Sequence, residues 1–254
     1  MDEAEARALA DVILLARTEH RVLDPQVAAA LGHDDAYRVQ DLLTQARLAA
    51  GARRAGWKLG YTSAAMRAQM GIDQPNLGPL TDAMILGTGT VVGTEVTQPR
   101  VEPEIAAVIG ADVPPGADGD RLRACVSGWQ AALEVVDSVW ADYRFDWAMN
   151  TADGSSAALV VLGAEITGAD LAGAVVELRR NGEVVASGHG SAAMGDPWAA
   201  LAWLVAQLDR RGENLHAGDV VITGGLTRAV PFEPGDRVAA TIAGAEVAAE
   251  RARS

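Results

Sequence analysis

The first 50 residues carry apolar side chains at helical spacing. One periodic segment contains Leu9, Val12, Ile13 and Ala16, and a second runs over residues 34–50. Asp24-Pro25 lies between them and is typical of a helix start, because aspartate caps free N–H groups and proline suits the first helical position. The pattern predicts a helical N-terminal arm over residues 1–50.

Beyond residue 51 the pattern changes to short apolar runs that are typical of strands. Residues 56–60 form a strand candidate bounded by glycines, and residues 101–109 are rich in small and β-branched side chains. Residues 131–136 and 157–162 lack polar alternation, as expected of strands that are buried on both faces. A short helix is predicted over residues 62–70, closed by Gly71.

The second half of the chain contains clear turn and helix signals. Asn181-Gly182 predicts a hairpin over residues 175–187, since both central residues of a type I′ turn need positive φ. Asp196-Pro197 begins a helix that continues to residue 211, with Gly212 as its stop, and Ala243-Gly244 is a second turn candidate. No repeat or linker divides the chain, so we predict an α+β protein with one β-rich unit over residues 51–254.

Composition and charge narrow the classes of protein that fit. Apolar residues make up 49% of the chain, enough for a globular core, and the net charge of −13 argues against non-specific binding to nucleic acid or anionic membranes. An anionic substrate is not excluded, because a metal ion can reverse the local field. The acidic N-terminus differs from a secretory signal, the single cysteine suits a reducing compartment, and the apolar runs are too short to span a membrane. We expect a cytoplasmic protein.

Two carboxylates interrupt the apolar run 101–109. Residues two apart in a strand share a face, so Glu102 and Glu104 project side by side. Like charges at that spacing repel unless a proton or a cation lies between them, and Mg²⁺ or Mn²⁺ accepts hard oxygen ligands. The alternative is a solvated strand face on which the two glutamates serve no site.

Two further charged residues stand in apolar surroundings. Glu134 interrupts the run 131–136 and is either a third metal ligand or a strand-end residue that reaches water, since an unpaired buried carboxylate is costly. Lys58 lies between Trp57 and Leu59. It either extends along apolar surface to water or is held in a site, where burial lowers the pKa of a lysine and lets it act as a base.

Seven motifs follow one another between residues 56 and 224. They read GWKLGYTS (56–63), QMGIDQPNLGPL (69–80), QPRVEPEIA (98–106), ALEVVDS (132–138), TADGSSA (151–157), GHGSAAMGDP (188–197) and LHAGDVVITG (215–224). In this order they resemble the 2-keto-4-pentenoate hydratase and 2-oxo-3-hexenedioate (4-oxalocrotonate) decarboxylase family, within the fumarylacetoacetate hydrolase-like superfamily. The resemblance runs from about residue 34 to the end of the chain.

The resemblance implies a mixed β-roll body, a small 2-oxo or 2-hydroxy-dienoate substrate and a homo-oligomer. It also implies roles for particular residues. It assigns Mg²⁺ or Mn²⁺ binding to Glu102, Glu104 and Glu134, catalysis to Lys58, Ser156 and Asp82, and contact with the substrate to Leu80, Ser156 and Thr223. The four histidines are expected to be structural or to face solvent.

The implied reaction is the addition of water to 2-hydroxypenta-2,4-dienoate through a dienolate that a Lewis-acidic metal stabilises. Lys58 would be the acid/base or charge partner, and Ser156 would position substrate or water. Decarboxylation of 2-oxo-3-hexenedioate gives the same kind of dienolate and is the alternative. The motif around Tyr143 is closer to the decarboxylases and that around Gln98 to the hydratases, and we prefer the hydratase. A C–C hydrolase lacks a suitably placed histidine, and a repurposed biosynthetic member stays open.

Two positions depart from the family pattern. Gly154 stands where the family usually has asparagine, so a side-chain amide is missing near Ser156. Pro103 stands between the two glutamates in place of a smaller residue. Proline has no N–H for a strand ladder, and we therefore expect this strand to lie at a sheet edge or to be bulged there.

Overall fold

The computed structural model describes residues 1–64, 67–68, 71–168 and 170–253. The named α-helices are α1 (Glu3–Thr18), α2 (His33–Ala49), α3 (Gly119–Arg123), α4 (Trp147–Ala152) and α5 (Pro197–Arg211). The helix predicted over residues 62–70 lies partly outside the described residues. Within the part of the chain that is described, no helix is both long and apolar enough to cross a membrane.

The N-terminal segment is helical, as predicted. Asp2 caps α1 by accepting a hydrogen bond from the Glu5 N–H at 2.9 Å, and Asp24-Pro25 opens a single 3₁₀ turn, Pro25–Ala28. The apolar face of α1 packs with α2 and α4 around Trp140 and Trp147. This packing joins the first 50 residues to the rest of the protein, and their separation as a distinct arm stays a prediction.

Strands occupy each of the predicted apolar runs and the predicted hairpin, and further strands, among them Asn76–Thr81, Ile85–Gly87 and Thr90–Val92, lie outside them. In chain order they are β1 (Arg54–Gly60), β2 (Asn76–Thr81), β3 (Ile85–Gly87), β4 (Thr90–Val92), β5 (Arg100–Ile109), β6 (Val126–Val136), β7 (Ala157–Glu165), β8 (Val175–Arg180), β9 (Glu183–His189), β10 (Val220–Ile222), β11 (Val230–Pro231), β12 (Arg237–Ile242) and β13 (Ala245–Arg251). The turns predicted at Asn181-Gly182 and Ala243-Gly244 connect β8 to β9 and β12 to β13, and both positions have positive φ.

Two mixed sheets form the body. The larger has the order β2-β1-β10-β5-β6-β7-β3, with β11 also paired to β5, and the smaller has the order β4-β13-β12-β8-β9. The main apolar core includes residues of both sheets and of α5, among them Trp57, Leu133, Leu204 and Val247. The α+β prediction is therefore confirmed in its sheets and helices.

Side chains along β5 and β6 point alternately to the two faces of the sheet, so one face packs in the core and the other carries the site. Val101 and Ile105 of β5, with Leu133 and Val135 of β6, belong to the main core. Their even-numbered neighbours, which include the three glutamates, point to the opposite face of the sheet. The same two strands therefore support the core on one side and a polar cluster on the other.

The edge or bulge expected at Pro103 is wrong as stated. β5 lies inside the larger sheet, and its register with β6 is regular at Pro103 and shifts only at Val108/Ile109. The Pro103 carbonyl accepts from the Leu226 N–H, so the proline nitrogen faces the segment between β10 and β11. No strand pairs there, and a residue without an N–H is tolerated inside the sheet for that reason.

Candidate metal centre and active site

Three glutamates meet on one face of the larger sheet. Glu102 and Glu104 share a face of β5, and the register of β5 with β6 places Glu134 directly opposite Glu102. One carboxylate oxygen from each lies within 4.8 Å of the other two. Glu104 and Glu134 are fully buried, so the solvated strand face and the strand-end glutamate are both excluded.

The electrostatics of this cluster call for a cation. Burial raises the pKa of the Glu102 carboxyl from 4.5 to about 7, and repulsion from Glu134 adds to the shift. The pKa of Glu104 is raised well above its usual value by burial and by both neighbouring glutamates. Burial also raises the pKa of Glu134, although Lys58 opposes that effect. Three carboxylates, two of them fully buried, beside one lysine leave negative charge that a divalent ion neutralises.

The donor set fits a hard divalent cation. Oε1 of Glu104 is buried without a hydrogen-bond partner among the described residues, while Oε2 of Glu104 accepts from the Gly224 N–H at 2.6 Å. Oε1 of Glu134 is also buried, and it forms an ion pair with Nζ of Lys58 at 2.9 Å. Unpaired buried oxygens are costly, and an ion bound between the carboxylates satisfies them. An all-oxygen set of this kind suits Mg²⁺ or Mn²⁺.

Lys58 is the only lysine in the chain, and it is buried beside the glutamates. Its Nζ donates to Oε2 of Glu134 at 2.9 Å and to the Ser155 carbonyl at 2.8 Å. Burial acts to lower the pKa of Lys58, but attraction from Glu134, Glu104 and Glu102 outweighs it and raises the pKa. The lysine therefore does not extend to the surface, and without a metal ion it is held protonated.

A strained turn presents backbone and hydroxyl groups to Lys58 and the cavity. Gly154, Ser155 and Ser156 follow one another with φ values of 88°, 58° and 56°. Such left-handed conformations are unfavourable for non-glycine residues and persist only where the surroundings hold them. Here Asp153 Oδ1 accepts from the Ser156 N–H at 2.7 Å, and the Asn150 carbonyl accepts from the Ser155 N–H at 2.8 Å.

The Ser156 hydroxyl is fully oriented by its neighbours. It accepts from Nδ2 of Asn150 at 2.9 Å and lies 3.3 Å from Oδ2 of Asp153, to which it donates. Its single proton is thus used inside the protein, and a lone pair remains for the cavity. Ser156 can accept a hydrogen bond from a ligand but is not free to donate one.

Arg17 of α1 ties this turn to the N-terminal helices. Its guanidinium donates to the Asp153 carbonyl at 2.8 Å and to the Asp137 carbonyl at 3.2 Å, and lies 3.6 Å from the buried Asp153 carboxylate. Arg17, Asn150 and Asp153 were not among the site residues predicted from the sequence. The local signal for Asn150 was a polar residue within the apolar helix α4, whereas Arg17 lies more than 100 residues from its partners and had no local signal.

A cavity of about 380 Å³ opens above these groups. Its walls are formed by residues 58–63, Arg100, Glu102, Val136, Tyr143, Phe145, Asn150, Ser155, Ser156, Gly225, Arg228 and Ala229. Among the predicted site residues, Lys58, Glu102 and Ser156 line it, and the buried Glu104 and Glu134 adjoin Glu102. All four histidines are exposed and none lines the cavity.

The other three predicted site residues do not line the cavity. Asp82 lies at the surface, where Arg53 donates to both of its carboxylate oxygens and lowers its pKa. Leu80 is on the same sheet face as Lys58 but is buried in a separate apolar cluster further along β2. Thr223 is buried, and its hydroxyl donates to the Ile105 carbonyl. These three residues make their observed contacts outside the cavity wall, and the roles inferred for Asp82, Leu80 and Thr223 stay predictions.

The raised carboxyl pKa values predict how Mg²⁺ and pH affect stability. In the window from 4.5 to about 7 the folded protein binds protons more tightly at Glu102 than the unfolded chain does. Proton binding at Glu102 therefore stabilises the metal-free protein at low pH. This part of the free energy of unfolding is lost as pH rises through the window. Mg²⁺ replaces the protons, so we expect it to raise Tm by about 5 °C or more at pH 8, at roughly 100 times its dissociation constant.

The measurement is thermal unfolding with Mg²⁺ or with Na⁺ of equal ionic strength, at pH 5 and pH 8. At pH 5 the increase should be much smaller, because protonated carboxylates do not bind the ion. Equal increases at both pH values would mean that Mg²⁺ acts elsewhere on the protein.

Comparison with known proteins identifies the family to which the chain belongs. The family described as fumarylacetoacetate (FAA) hydrolase C-terminal matches residues 57–251, and the chain belongs to this family. The chain is 37% identical over 222 residues to 2-keto-4-pentenoate hydratase 1 of Dechloromonas aromatica (strain RCB), covering 85% of this chain and 84% of that protein. It is 36% identical over 209 residues to 4-oxalocrotonate decarboxylase of Pseudomonas sp. (strain CF600), covering 80% and 79%.

A solved structure shares the fold over almost the whole chain. The 4-oxalocrotonate decarboxylase from Pseudomonas putida G7, complexed with magnesium and adipate, has a TM-score of 0.92 at 32% identity, covering 99% of this chain and 98% of that chain. The same enzyme complexed with calcium and acetate has a TM-score of 0.90. These matches confirm the predicted family and its fumarylacetoacetate hydrolase-type fold with a helical N-terminal segment.

Proposed function

We propose that this protein is a divalent-metal-dependent lyase that adds water to 2-hydroxypenta-2,4-dienoate-type substrates. The observation that carries the proposal is the triad Glu102, Glu104 and Glu134 beside Lys58 at the edge of a cavity, with Oε1 of the buried Glu104 left without a hydrogen-bond partner among the described residues. The hydratases and decarboxylases similar to this chain are lyases, which supports the class. A bound Mg²⁺ or Mn²⁺ supplies Lewis-acid stabilisation of negative charge on the substrate oxygens.

The side chains around the cavity have distinct tasks in this reaction. Lys58 exchanges a proton with the substrate carbon chain, and its bonds to Glu134 and the Ser155 carbonyl fix the position of Nζ. Nζ lies 2.9 Å from each oxygen of Glu134, and Lys58 also lines the cavity in which the substrate would bind. Ser156 accepts a hydrogen bond from the attacking water, because Asp153 already takes its proton. The rings of Tyr143 and Phe145 form an apolar part of the cavity wall, which limits the entry of further water.

Decarboxylation of 2-oxo-3-hexenedioate is the second candidate. It is favoured by the structural match to a decarboxylase over 99% of this chain at a TM-score of 0.92. The same groups suit it, since loss of the distal carboxylate leaves a dienolate that must gain a proton, again from Lys58. Mn²⁺ in place of Mg²⁺, a homo-oligomer and a cytoplasmic location stay predictions.

The test is ultraviolet monitoring of the purified protein with 2-hydroxypenta-2,4-dienoate and, separately, with 2-oxo-3-hexenedioate. Each substrate is followed with Mg²⁺ and after treatment with a chelator. Mg²⁺-dependent loss of the dienoate supports the hydratase, and release of carbon dioxide from the dicarboxylate supports the decarboxylase. Turnover of neither substrate in Mg²⁺ would overturn both activities.

Gly154, where the family usually has asparagine, is expected to tolerate that asparagine. A Cβ at this position meets no atom of the described residues within 4 Å, and asparagine adopts positive φ more readily than most residues. Asn150 already donates an amide N–H to Ser156, so a second amide is not required there. We expect Gly154→Asn to change kcat/KM for 2-hydroxypenta-2,4-dienoate by less than about threefold and to cost about 1 kcal/mol of stability or less.

Gly154→Ala is the matched control, because it imposes the same backbone constraint without an amide. A large gain with asparagine but not alanine would indicate a pocket reshaped for another substrate. A large fall with both variants would show that the backbone at this position needs glycine.

A further inference from the structure

Two arginines line the cavity beyond the glutamate triad. Arg100 precedes Glu102 by two residues in β5 and therefore lies on the same sheet face, about 6–7 Å further along the strand. Its guanidinium stacks on the Tyr143 ring at 4.1 Å, and the Tyr143 hydroxyl donates to the Val136 carbonyl at 2.9 Å and lies 3.1 Å from the Gln98 carbonyl. The Arg100 charge is thus held in place beside the cavity.

Arg228 approaches the same cavity from the segment between β10 and β11. Its Nη2 donates to the Val185 carbonyl at 2.8 Å, which anchors an otherwise exposed side chain. Gly225, three residues earlier, lies so close to Glu102 that a Cβ there would be 2.1 Å from Oε2. The segment that carries Arg228 therefore packs directly against the metal triad.

Neither arginine has a carboxylate partner among the residues that the structure describes. Other arginines, such as Arg17, Arg54 and Arg211, do have a carboxylate partner. Acidic partners are abundant, since the chain has 34 acidic and 21 basic residues. Within the triad, the charges of three glutamates, Lys58 and a divalent ion cancel. A substrate carboxylate bound at the metal adds one negative charge. The two positive charges of Arg100 and Arg228 then leave a net charge of about +1 in and around the cavity.

We propose that Arg100 and Arg228 form a subsite for a second carboxylate at the far end of the substrate, so that a 2-oxo acid with a second carboxylate binds more tightly than a monocarboxylate such as 2-hydroxypenta-2,4-dienoate. The backbone of Arg100 lies about 6–7 Å along β5 from that of Glu102, an offset comparable to the length of a six-carbon chain. Guanidinium groups suit this task because they bind carboxylates through paired, charge-assisted hydrogen bonds. The inference rests on the proposed function, since it takes the metal triad as the site of the 2-oxo acid end.

The test uses two unreactive ligands of equal length, 2-oxoadipate and 2-oxohexanoate, which differ only in a carboxylate or a methyl at the far end. Calorimetry in the presence of Mg²⁺ gives the Kd of each ligand for the full-length protein. We expect 2-oxoadipate to bind at least about tenfold more tightly, and this preference to weaken at high salt.

Two variants test whether Arg228 and Arg100 cause the preference for 2-oxoadipate over 2-oxohexanoate. Arg228→Gln removes an exposed charge without disturbing buried groups, and should reduce the preference for 2-oxoadipate by about tenfold. Arg100→Lys keeps the charge over Tyr143 but loses the planar fork, and should reduce it by a smaller factor. Arg237→Gln is the control: Arg237 is an exposed arginine of the smaller sheet, paired with Glu250, and both Kd values should match those of the parent.

Kinetics add a readout that a structural role would not produce. In decarboxylation, charge moves from the distal carboxylate into the dienolate, so a cation beside that carboxylate stabilises the bound substrate more than the transition state. Arg228→Gln should therefore raise KM for 2-oxo-3-hexenedioate by about tenfold without an equal fall in kcat.

The outcomes separate this inference from the proposed function. Mg²⁺-dependent binding of both ligands with no preference for 2-oxoadipate, or equal losses for both ligands in Arg228→Gln, would overturn the subsite and leave the lyase proposal standing. If neither ligand binds in an Mg²⁺-dependent way and no 2-oxo-enoate is turned over, the lyase proposal itself is wrong.

Discussion

Replacing Glu134 with glutamine is expected to weaken Mg²⁺ binding by at least about 100-fold and to abolish turnover while the fold is retained. Glutamine has the same shape but no charge, and the triad then lacks one of the three anions that neutralise a divalent ion. Because Glu134 is fully buried opposite Glu102, no other carboxylate among the described residues can take its place in the cluster. Calorimetric titration with Mg²⁺ and circular dichroism measure the two effects.

Glu104→Gln and Glu183→Gln show whether the loss of Mg²⁺ binding is specific to the glutamate triad. Glu104 is buried with an unpaired oxygen, and Glu104→Gln should also lose Mg²⁺ while making the metal-free protein more stable at pH 8, because a repelled buried charge is removed. Glu183 is exposed at the start of β9, and Glu183→Gln, which makes the same change in net charge, should bind Mg²⁺ like the parent. Full metal content and rate in Glu134→Gln would show that this residue is structural.

Lys58→Ala is expected to reduce turnover by about 10²–10⁴-fold with Mg²⁺ still bound. The physical reason is the loss of the amine that exchanges a proton with the substrate, held 2.9 Å from Glu134 and 2.8 Å from the Ser155 carbonyl. Lys58→Arg should not restore the rate, because a guanidinium stays charged and cannot pass on a proton. Steady-state rates at saturating substrate, with metal content measured on the same samples, test this expectation.

An independent measurement is available because Lys58 is the only lysine among 21 basic residues. Protein labelled with ¹⁵N at lysine side chains gives one side-chain ammonium signal, which reports the pKa of Lys58 directly. The glutamates raise that pKa in the absence of metal, so Mg²⁺ should lower it by offsetting their charge. A rate within a few-fold of the parent in Lys58→Ala, or a pKa that does not respond to Mg²⁺, would remove Lys58 from the reaction.

Some features of the site could be predicted because they depend only on local geometry. Strand periodicity alone places Glu102 and Glu104 side by side, and the apolar surroundings of Glu134 and Lys58 marked them as costly unless partnered. The same spacing contains Arg100, two residues before Glu102, but nothing local separates a cavity arginine from a surface one. The resemblance to a family then supplied roles that periodicity could not.

Other features could not be predicted because they depend on strand register and on contacts between distant segments. Glu134 faces Glu102 only because β5 and β6 pair in one register, and a slip of one residue would turn it into the core. Asp82 was expected in the site from its motif, yet it lies beside Arg53 at the surface. Pro103 was expected at an edge, yet the interruption between β10 and β11 lets it lie inside the sheet.

The sequence by itself determined the three longest helices, the two hairpin turns and the family, because helix periods, turn residues and motif order are properties of neighbouring positions. Only the tertiary structure decided which charges share a cavity. Lys58 reaches Glu134 across 76 positions of the chain, and Arg17 reaches Asp153 across 136. Such pairs are set by the packing of whole elements, and the pKa values of the buried groups follow from that packing rather than from the residues beside them in the chain.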